Sequence, residues 1–210
     1  MTAQRETKPD NLVAADKRGI ERAAAVLCAG GLAALPTDTV YGLAAQAANS
    51  KAVARLFAVK GRPGANPLIV QVATLEAAQK LGAFNATAKK LAEKFWPGSL
   101  TLVLPYKGGT LVAELARGGL NTIGLRIPAQ RTMLAVLEQT GPLVVTSANR
   151  SGQASAVTAA QIAQELGGSI DLILDDGAAK LGVESTIVDV TGDKAVLLRQ
   201  GAVPHNALKL

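Results

Sequence analysis

The chain alternates short apolar runs with segments of helical periodicity along most of its length. Strands are predicted at about 32–35, 67–72, 100–104, 122–127, 143–146, 171–174, 186–190 and 195–198, and helices at about 16–29, 50–59, 74–82, 86–95, 129–139 and 158–166. Ser50 and Thr74 are expected to cap the helices that they begin. Only the residues Thr191-Gly192-Asp193-Lys194, typical of a hairpin turn, separate the last two runs. Because a hairpin makes part of a sheet antiparallel, the pattern predicts an α/β fold whose twisted, mixed parallel and antiparallel sheet is flanked by helices.

The composition suits such a layered fold. Hydrophobic residues make up 49% of the chain but aromatic residues only 3%, so Ala, Val, Leu and Ile must fill the core. We expect residues 1–11 to be a flexible polar lead-in and 12–204 to form a single domain with an open concave crevice. Residues 205–210 are expected to be a C-terminal tail.

The net charge, the single cysteine and the single histidine limit the kinds of function that the chain can have. A net charge of +6 favours anionic partners such as nucleotides or RNA, although a generic basic protein also fits. Cys28 is the only cysteine, which excludes an internal disulfide, and its helical spacing predicts a buried thiol. His205 is the only histidine and lies near the chain end, so a His-based triad is not expected. The sequence shows neither a membrane-spanning run nor a secretory signal, and it predicts a soluble cytoplasmic protein.

Hydroxyls and cations lie beside several of the predicted strands and helices. Thr37 follows the first strand, where a side chain can face a crevice or satisfy a local turn. Lys60 and Arg62 end a helix, and Arg62 lies between Gly61 and Pro63 in a stiff turn. A guanidinium held in this way suits the bidentate binding of a phosphate or carboxylate. No GxxxxGKS or GxGxxG loop is present, so phosphates would be held by dispersed groups.

A second set of polar residues belongs to the later strands. Arg126 interrupts an apolar strand, so it either reaches solvent from an edge or meets an anion. Ser147 and Asn149 follow a buried strand in a turn that could form an anion nest. Ser185 begins a strand and Arg199 ends one, and each also has an ordinary surface interpretation.

Taken together, these motifs resemble the YrdC-like family, the L-threonylcarbamoyladenylate synthases. The resemblance covers roughly residues 16–203. It is carried by the segments 36–43, 60–63, 66–70, 96–101, 123–128, 146–152, 184–189 and 198–201.

The resemblance implies a YrdC-like catalytic domain and a nucleotidyl transfer. L-threonine, bicarbonate and ATP would give threonylcarbamoyl-AMP and pyrophosphate, with Mg²⁺ carried by the nucleotide. The product would pass to tRNA threonylcarbamoyl-transferase proteins that modify the adenosine beside the anticodon. Whether tRNA also contacts this chain is left open, and no membrane partner is expected.

The resemblance also implies roles for individual residues. Lys60 and Arg62 would be catalytic through charge. The threonine-binding residues would be Thr37, Asn66, Arg126 and Ser185. The ATP-binding residues would be Lys60, Arg62, Thr122, Ser147, Asn149, Ser155 and Arg199, and no protein-bound metal is expected.

Two other functions remain open from the sequence. One is a relative that forms a carbamoyl-adenylate in hydrogenase maturation, although such proteins carry additional domains. The other is a non-enzymatic RNA-binding protein that uses a basic concave face. Stacking aromatic residues among the cations would favour the RNA-binding function, but this chain has only six aromatics.

Overall fold

A computed structural model describes residues 11–61 and 66–208 of the chain. Its strands are β1 (Leu12–Ala14), β2 (Ala33–Leu35), β3 (Gly42–Gln46), β4 (Ile69–Gln71), β5 (Leu100–Pro105), β6 (Thr122–Arg126), β7 (Leu143–Ser147), β8 (Leu172–Asp175), β9 (Thr186–Asp189) and β10 (Val196–Arg199). Its α-helices are α1 (Lys17–Cys28), α2 (Ser50–Lys60), α3 (Leu75–Leu81), α4 (Ala86–Phe95), α5 (Arg131–Thr140), α6 (Ala159–Leu166) and α7 (His205–Leu208), with a 3₁₀ turn at Glu114–Arg117.

The strands form one mixed sheet in the order β1-β8-β2-β3-β7-β4-β6-β5-β9-β10. Four neighbouring pairs are parallel: β1 with β8, β8 with β2, β4 with β6, and β5 with β9. The other pairs are antiparallel, including the predicted hairpin β9–β10. The predicted fold class is therefore confirmed.

Side-chain caps determine where most helices begin. Asp16 accepts a hydrogen bond from the backbone N–H of Gly19 at 2.8 Å and starts α1. Thr74 caps α3 as predicted, and Thr158 forms a capping box with Gln161 at the start of α6. The cap of α2 is Asn49 instead of the expected Ser50, since the Asn49 side chain accepts from two backbone N–H groups of the first turn.

The helices cover the two sheet faces unequally. On one face, α1 and α5 pack on β8, β2, β3 and β7 around a core that includes Leu27, Met133 and Leu143. The larger core lies on the opposite face and includes residues of α2, α3, α4 and α6. In the described part of the chain, the smaller core takes no residue from β4, β6, β5 or β9. The face covered by α1 and α5 at one end of the sheet therefore opens into a crevice at the other end.

Two strands were not predicted, and one burial prediction was wrong. The strand β3 reads Gly-Leu-Ala-Ala-Gln, which lacks the β-branched residues typical of strands, and β1 is only three residues long. Cys28 was expected to be buried, but it is exposed. The buried positions on α1 are Gly19, Ala23, Ala24 and Leu27, so the last residue of the helix turns away from the core.

The predicted C-terminal tail is partly helical. Residues 205–208 of the predicted tail form the short helix α7, whose Leu208 is buried. The predicted lead-in at 1–10 lies outside the described residues. Among the described residues, no helix combines the length and apolar character that crossing a bilayer requires.

Candidate functional site

The open end of the sheet contains a cavity of about 230 Å³. Its floor is formed by residues of β7, β4, β6, β9 and β10, and its wall is the turn between β2 and β3. The residues lining it are Thr37, Thr39, Val40, Tyr41, Gly42, Pro67, Leu68, Ile69, Gln71, Arg126, Val145, Thr146, Ser147, Glu184, Ser185, Ile187 and Arg199. The close approach of β3 depends on Gly42, because a Cβ there would lie 2.4 Å from Cγ1 of Val145.

A buried ion pair forms the inner end of the cavity. Arg126 donates from Nη2 to Oδ1 of Asp38 at 2.7 Å, and the two side chains are only 4% and 10% exposed. Nε of Arg126 donates to the carbonyl of Gly98 at 2.9 Å. Oδ1 of Asp38 also accepts from the backbone N–H of Ala129 at 3.0 Å. The guanidinium is thus held in one orientation at the cavity floor.

Hydroxyl groups continue this network along the turn after β2. Nη1 of Arg126 donates to Oγ1 of Thr39 at 2.9 Å, and the Thr39 hydroxyl lies 2.9 Å from the hydroxyl of Thr37. Burial lowers the pKa of Arg126, whereas the charge of Asp38 raises it and the nearby charge of Arg199 lowers it further. A guanidinium nevertheless stays protonated, so Arg126 presents a cation to the cavity, while the Arg126–Asp38 pair as a whole is neutral.

A second arginine lies at the rim. Arg199 pairs through Nη1 with Oε2 of Glu184, and both side chains are 37% exposed. Arg199 also donates from Nη2 to the Ser185 carbonyl at 2.9 Å and to its hydroxyl at 3.1 Å. Ser155 donates to the other carboxylate oxygen of Glu184 at 3.1 Å. A single carboxylate therefore joins two side chains that the resemblance assigns to ATP.

Hydrogen bonds from Lys60 connect the end of α2 to the turn after β7. Lys60 is buried, and its Nζ donates to the carbonyl of Ser147, to the carbonyl of Asn149 at 2.7 Å and to Oδ1 of Asn149 at 3.3 Å. Gly61 ends α2 in the left-handed conformation. The lysine thus places a positive charge behind the turn while also fixing the shape of that turn.

Tyr41 supports the same wall from inside. Its hydroxyl donates to the carbonyl of Gly177 at 2.7 Å and accepts from the backbone N–H of Asp176 at 3.2 Å. Burial raises its pKa to about 12. Tyr41 therefore stays neutral and links the turn after β2 to the loop after β8.

The family model of the Sua5, YciO and YrdC proteins, which carries the description "Telomere recombination", matches residues 25–201 of the sequence. The chain belongs to the Sua5/YciO/YrdC family. It is 43% identical over 187 residues to the threonylcarbamoyl-AMP synthase of Pyrococcus abyssi, an alignment covering 88% of this chain and 54% of that protein. The enzyme of the same name from Bacillus subtilis is 42% identical over 192 residues, covering 90% and 55%.

The chain spans about half the length of these two Sua5/YciO/YrdC relatives. The threonylcarbamoyl-AMP synthase of Idiomarina loihiensis is shorter, with 35% identity over 165 residues that cover 76% of this chain and 87% of that protein. Among solved structures, P. abyssi Sua5 complexed with L-threonine aligns with a TM-score of 0.90 at 39% identity, over 94% of this chain and 59% of that one. E. coli YciO, at 24% identity and a TM-score of 0.83 over 94% of this chain and 97% of that one, shares the fold.

The fold brings about half of the predicted site residues to the cavity itself. The residues that line it are Thr37, Arg126, Ser147, Ser185 and Arg199. Lys60, Asn149 and Ser155 contact lining residues or the turn behind them. Thr122 lies at the start of β6 opposite Pro105, and Asn66 is exposed just before the cavity-lining Pro67. Arg62 lies outside the described residues.

Further polar residues line the cavity or bind its arginines, and none of them is among the predicted site residues. They are Asp38, Thr39, Tyr41, Gln71, Thr146 and Glu184. All of them except Gln71 belong to motifs that contain predicted residues or lie directly beside them, so proximity to those residues was an available signal. Gln71 is a polar residue inside an otherwise apolar strand. The same pattern predicted that Arg126 reaches solvent or meets an anion.

Proposed function

We propose that this chain forms threonylcarbamoyl-AMP and pyrophosphate from L-threonine, bicarbonate and ATP. The observation that carries the proposal is one cavity with two oriented arginines, Arg126 at its floor and Arg199 at its rim. One cation suits an amino-acid carboxylate and the other suits a phosphate, so two anionic substrates can meet between them. The names of the relatives and the threonine complex of P. abyssi Sua5 support this assignment.

Threonine would bind at the inner end of the cavity. Arg126 has five N–H groups, and three of its nitrogens each make one described bond to the protein. Remaining N–H groups could pair with the carboxylate, while the hydroxyls of Thr37 and Ser185 position the rest of the molecule. Asn66 would approach from the entrance. The guanidinium is already oriented, so little side-chain entropy is lost on binding.

ATP would bind from the rim towards the turn after β7. Ser147 and Asn149 would contact phosphate oxygens from this turn, and Lys60 would supply the charge behind them. Arg62, Thr122, Ser155 and Arg199 complete the proposed set. Phosphate would compete with Glu184 for Arg199 and Ser155, since the carboxylate of Glu184 now holds both. The nucleotide would bring Mg²⁺ as part of the substrate.

The reaction needs positioning and charge neutralisation more than a covalent enzyme intermediate. The threonine nitrogen attacks bicarbonate and gives a carbamate with loss of water. A carbamate oxygen then attacks the α-phosphate, the bond to the β-phosphate breaks, and pyrophosphate leaves. Lys60, Arg62 and Arg199 would neutralise charge that develops on the phosphates. The product would pass to proteins that transfer threonylcarbamoyl to tRNA.

Pyrophosphate release tests the proposal. We expect the purified protein to release pyrophosphate from ATP and bicarbonate only when threonine is present, and to lose this activity without bicarbonate. The Lys60→Ala and Arg62→Ala variants should each lower turnover at least about tenfold while remaining folded. RNA binding without turnover in any amino-acid mixture would overturn the proposal and favour a non-enzymatic function.

A further inference from the structure

Gln71 carries a buried polar atom that has no partner in the described part of the chain. The residue is the last of β4, is only 3% exposed, and lines the cavity. Its amide oxygen Oε1 accepts no hydrogen bond among the described residues. Buried polar atoms are paired in the large majority of cases, and an unpaired one is destabilising. The group is therefore suited to a hydrogen-bond donor that comes from outside the protein.

The neighbours of Gln71 restrict the chemistry of this donor. Gln71 pairs in register with Arg126 on β6 and with Leu143 on β7. Directly paired residues on adjacent strands lie about 5 Å apart, and both Gln71 and Arg126 line the cavity. Asp38 balances the charge of Arg126 but is not among the described lining residues. The cavity side therefore presents the cationic guanidinium, which disfavours an ammonium group and favours a neutral donor such as a hydroxyl.

Apolar side chains lie on the same strand face. Ile69 is two residues before Gln71 and pairs in register with Val145, and both residues line the cavity. A ligand group that presents a hydroxyl to Gln71 can therefore rest a methyl group on Ile69 and Val145. The side chain of threonine carries a hydroxyl and a methyl on the same carbon.

We propose that Gln71 determines specificity for the amino-acid substrate, with its Oε1 accepting a hydrogen bond from the β-hydroxyl of threonine. The inference rests on the proposed function and deepens it. Arg126 recognises the carboxylate that all amino acids share, whereas Gln71 distinguishes threonine from valine, which has a methyl in place of the hydroxyl. A hydrogen-bonding site rejects an analogue that lacks the partner more strongly than an apolar pocket does.

The test compares Gln71→Leu with the unchanged protein, using threonine and valine as probes. Dissociation constants for both amino acids, and hence the threonine-to-valine ratio, are measured by titration calorimetry. The KM values for threonine and for ATP are measured by pyrophosphate release. We expect the preference for threonine over valine to fall at least about fivefold in Gln71→Leu, the effect of losing one uncharged hydrogen bond. The loss should come from weaker threonine binding, with KM for ATP unchanged.

Folding and a control variant are part of the same experiment. Because Gln71→Leu removes a buried acceptor that no described residue pairs, its Tm should be equal to or higher than that of the unchanged protein. The control Gln79→Leu replaces a half-buried glutamine of α3 outside the cavity and should leave the preference unchanged. If Gln71→Leu does not fold, Gln71→Met provides the same comparison with an unbranched side chain.

The outcomes separate this inference from the proposed function. An unchanged threonine-to-valine ratio, or an equal loss for both amino acids, would overturn the role of Gln71 and leave the synthase activity standing. Absence of pyrophosphate release with every amino acid would overturn the proposed activity. Even then, a preference for threonine in calorimetry that Gln71→Leu abolishes would support the contact between Gln71 and the threonine hydroxyl. If the unchanged protein binds neither amino acid, both proposals fail.

Discussion

The two arginines of the cavity are bound to carboxylates in very different surroundings. Arg126 and Asp38 are 4% and 10% exposed, whereas Arg199 and Glu184 are both 37% exposed. The inner pair is also held by Thr39 and by backbone groups of Gly98 and Ala129. The rim pair faces solvent, where competing ions and water weaken such contacts.

This difference indicates separate roles for the two pairs. Separating a buried pair leaves a buried charge without a counter-charge, which is strongly destabilising. Asp38 and Arg126 are therefore expected to stay paired when a ligand binds. When a phosphate replaces Glu184 as the partner of Arg199, the fold loses little stability, because the Glu184 carboxylate can be hydrated at the rim. We therefore expect the inner arginine to be a permanent part of the fold and the rim arginine to exchange its partner when ATP binds.

The largest effect should follow from breaking the inner pair. Arg126→Met leaves the Asp38 carboxylate buried without its cation, and we expect the free energy of unfolding to fall by about 3–5 kcal/mol. Chemical denaturation with urea measures the loss. The double variant Arg126→Met with Asp38→Asn should recover part of it, since no buried charge remains. A loss below about 1 kcal/mol in the single variant would show that the pair is not isolated from water.

Breaking the rim pair should affect ATP more than stability. For Arg199→Met we expect KM for ATP to rise about tenfold, in line with losing one charge-assisted hydrogen bond to phosphate. The free energy of unfolding should change by less than about 1 kcal/mol. Pyrophosphate release at varied ATP and urea denaturation provide the two measurements.

Glu184→Gln is the matched variant of the rim pair. The amide keeps the shape of the side chain but removes the charge that competes with phosphate, so KM for ATP should fall, not rise. A stability loss in Arg199→Met as large as that of Arg126→Met would contradict the distinction between the two pairs.

The smallest effect concerns a third pair that resembles the rim pair in exposure but lies outside the cavity. Arg55 and Asp171 are 43% and 37% exposed, and Asp171 also accepts from the backbone N–H of Leu32 at 2.7 Å. Burial would raise the pKa of Asp171, but the hydrogen bonds from Arg55 and Leu32 outweigh burial and lower the pKa. The carboxylate therefore stabilises the fold above its ordinary pKa of about 4, and this contribution is lost as pH falls through the lowered value.

Asp171→Asn should accordingly reduce stability at neutral pH by no more than about 1 kcal/mol and leave KM for ATP unchanged. The difference from the unchanged protein should shrink as the pH falls below 4. Thermal unfolding between pH 7 and pH 3 provides the test. A difference that grows in acid would contradict the lowered pKa of Asp171, and a change in KM for ATP would show that exposure alone does not distinguish the rim pair.

The sequence predicted the elements with strong periodicity and the motifs that follow them. The 74–82 segment with its Thr74 cap and the 191–194 hairpin are examples, because helical period, capping and turn chemistry act between neighbouring residues. It missed β3, whose alanine-rich segment 42–46 has no strand propensity of its own. That segment becomes a strand because it pairs on both sides, with β2 and with β7.

The same limit applies to the candidate site. Arg126 was recognised from the sequence as a residue that must reach solvent or meet an anion, and the fold supplies Asp38, 88 positions away. Gln71 was placed in a strand, but strand periodicity does not say which face becomes a cavity. That choice depends on where the layer formed by α1 and α5 ends.

The family and the α/β class could be predicted from the sequence alone, because motifs, helical period and turn chemistry involve residues that are close together in the chain. The fold was needed to show which face of the sheet stays open, which carboxylate each arginine binds, and that Gln71 faces the cavity with an oxygen that no described residue pairs. Those features arise from contacts between residues far apart in the chain, and only the assembled sheet brings these residues together.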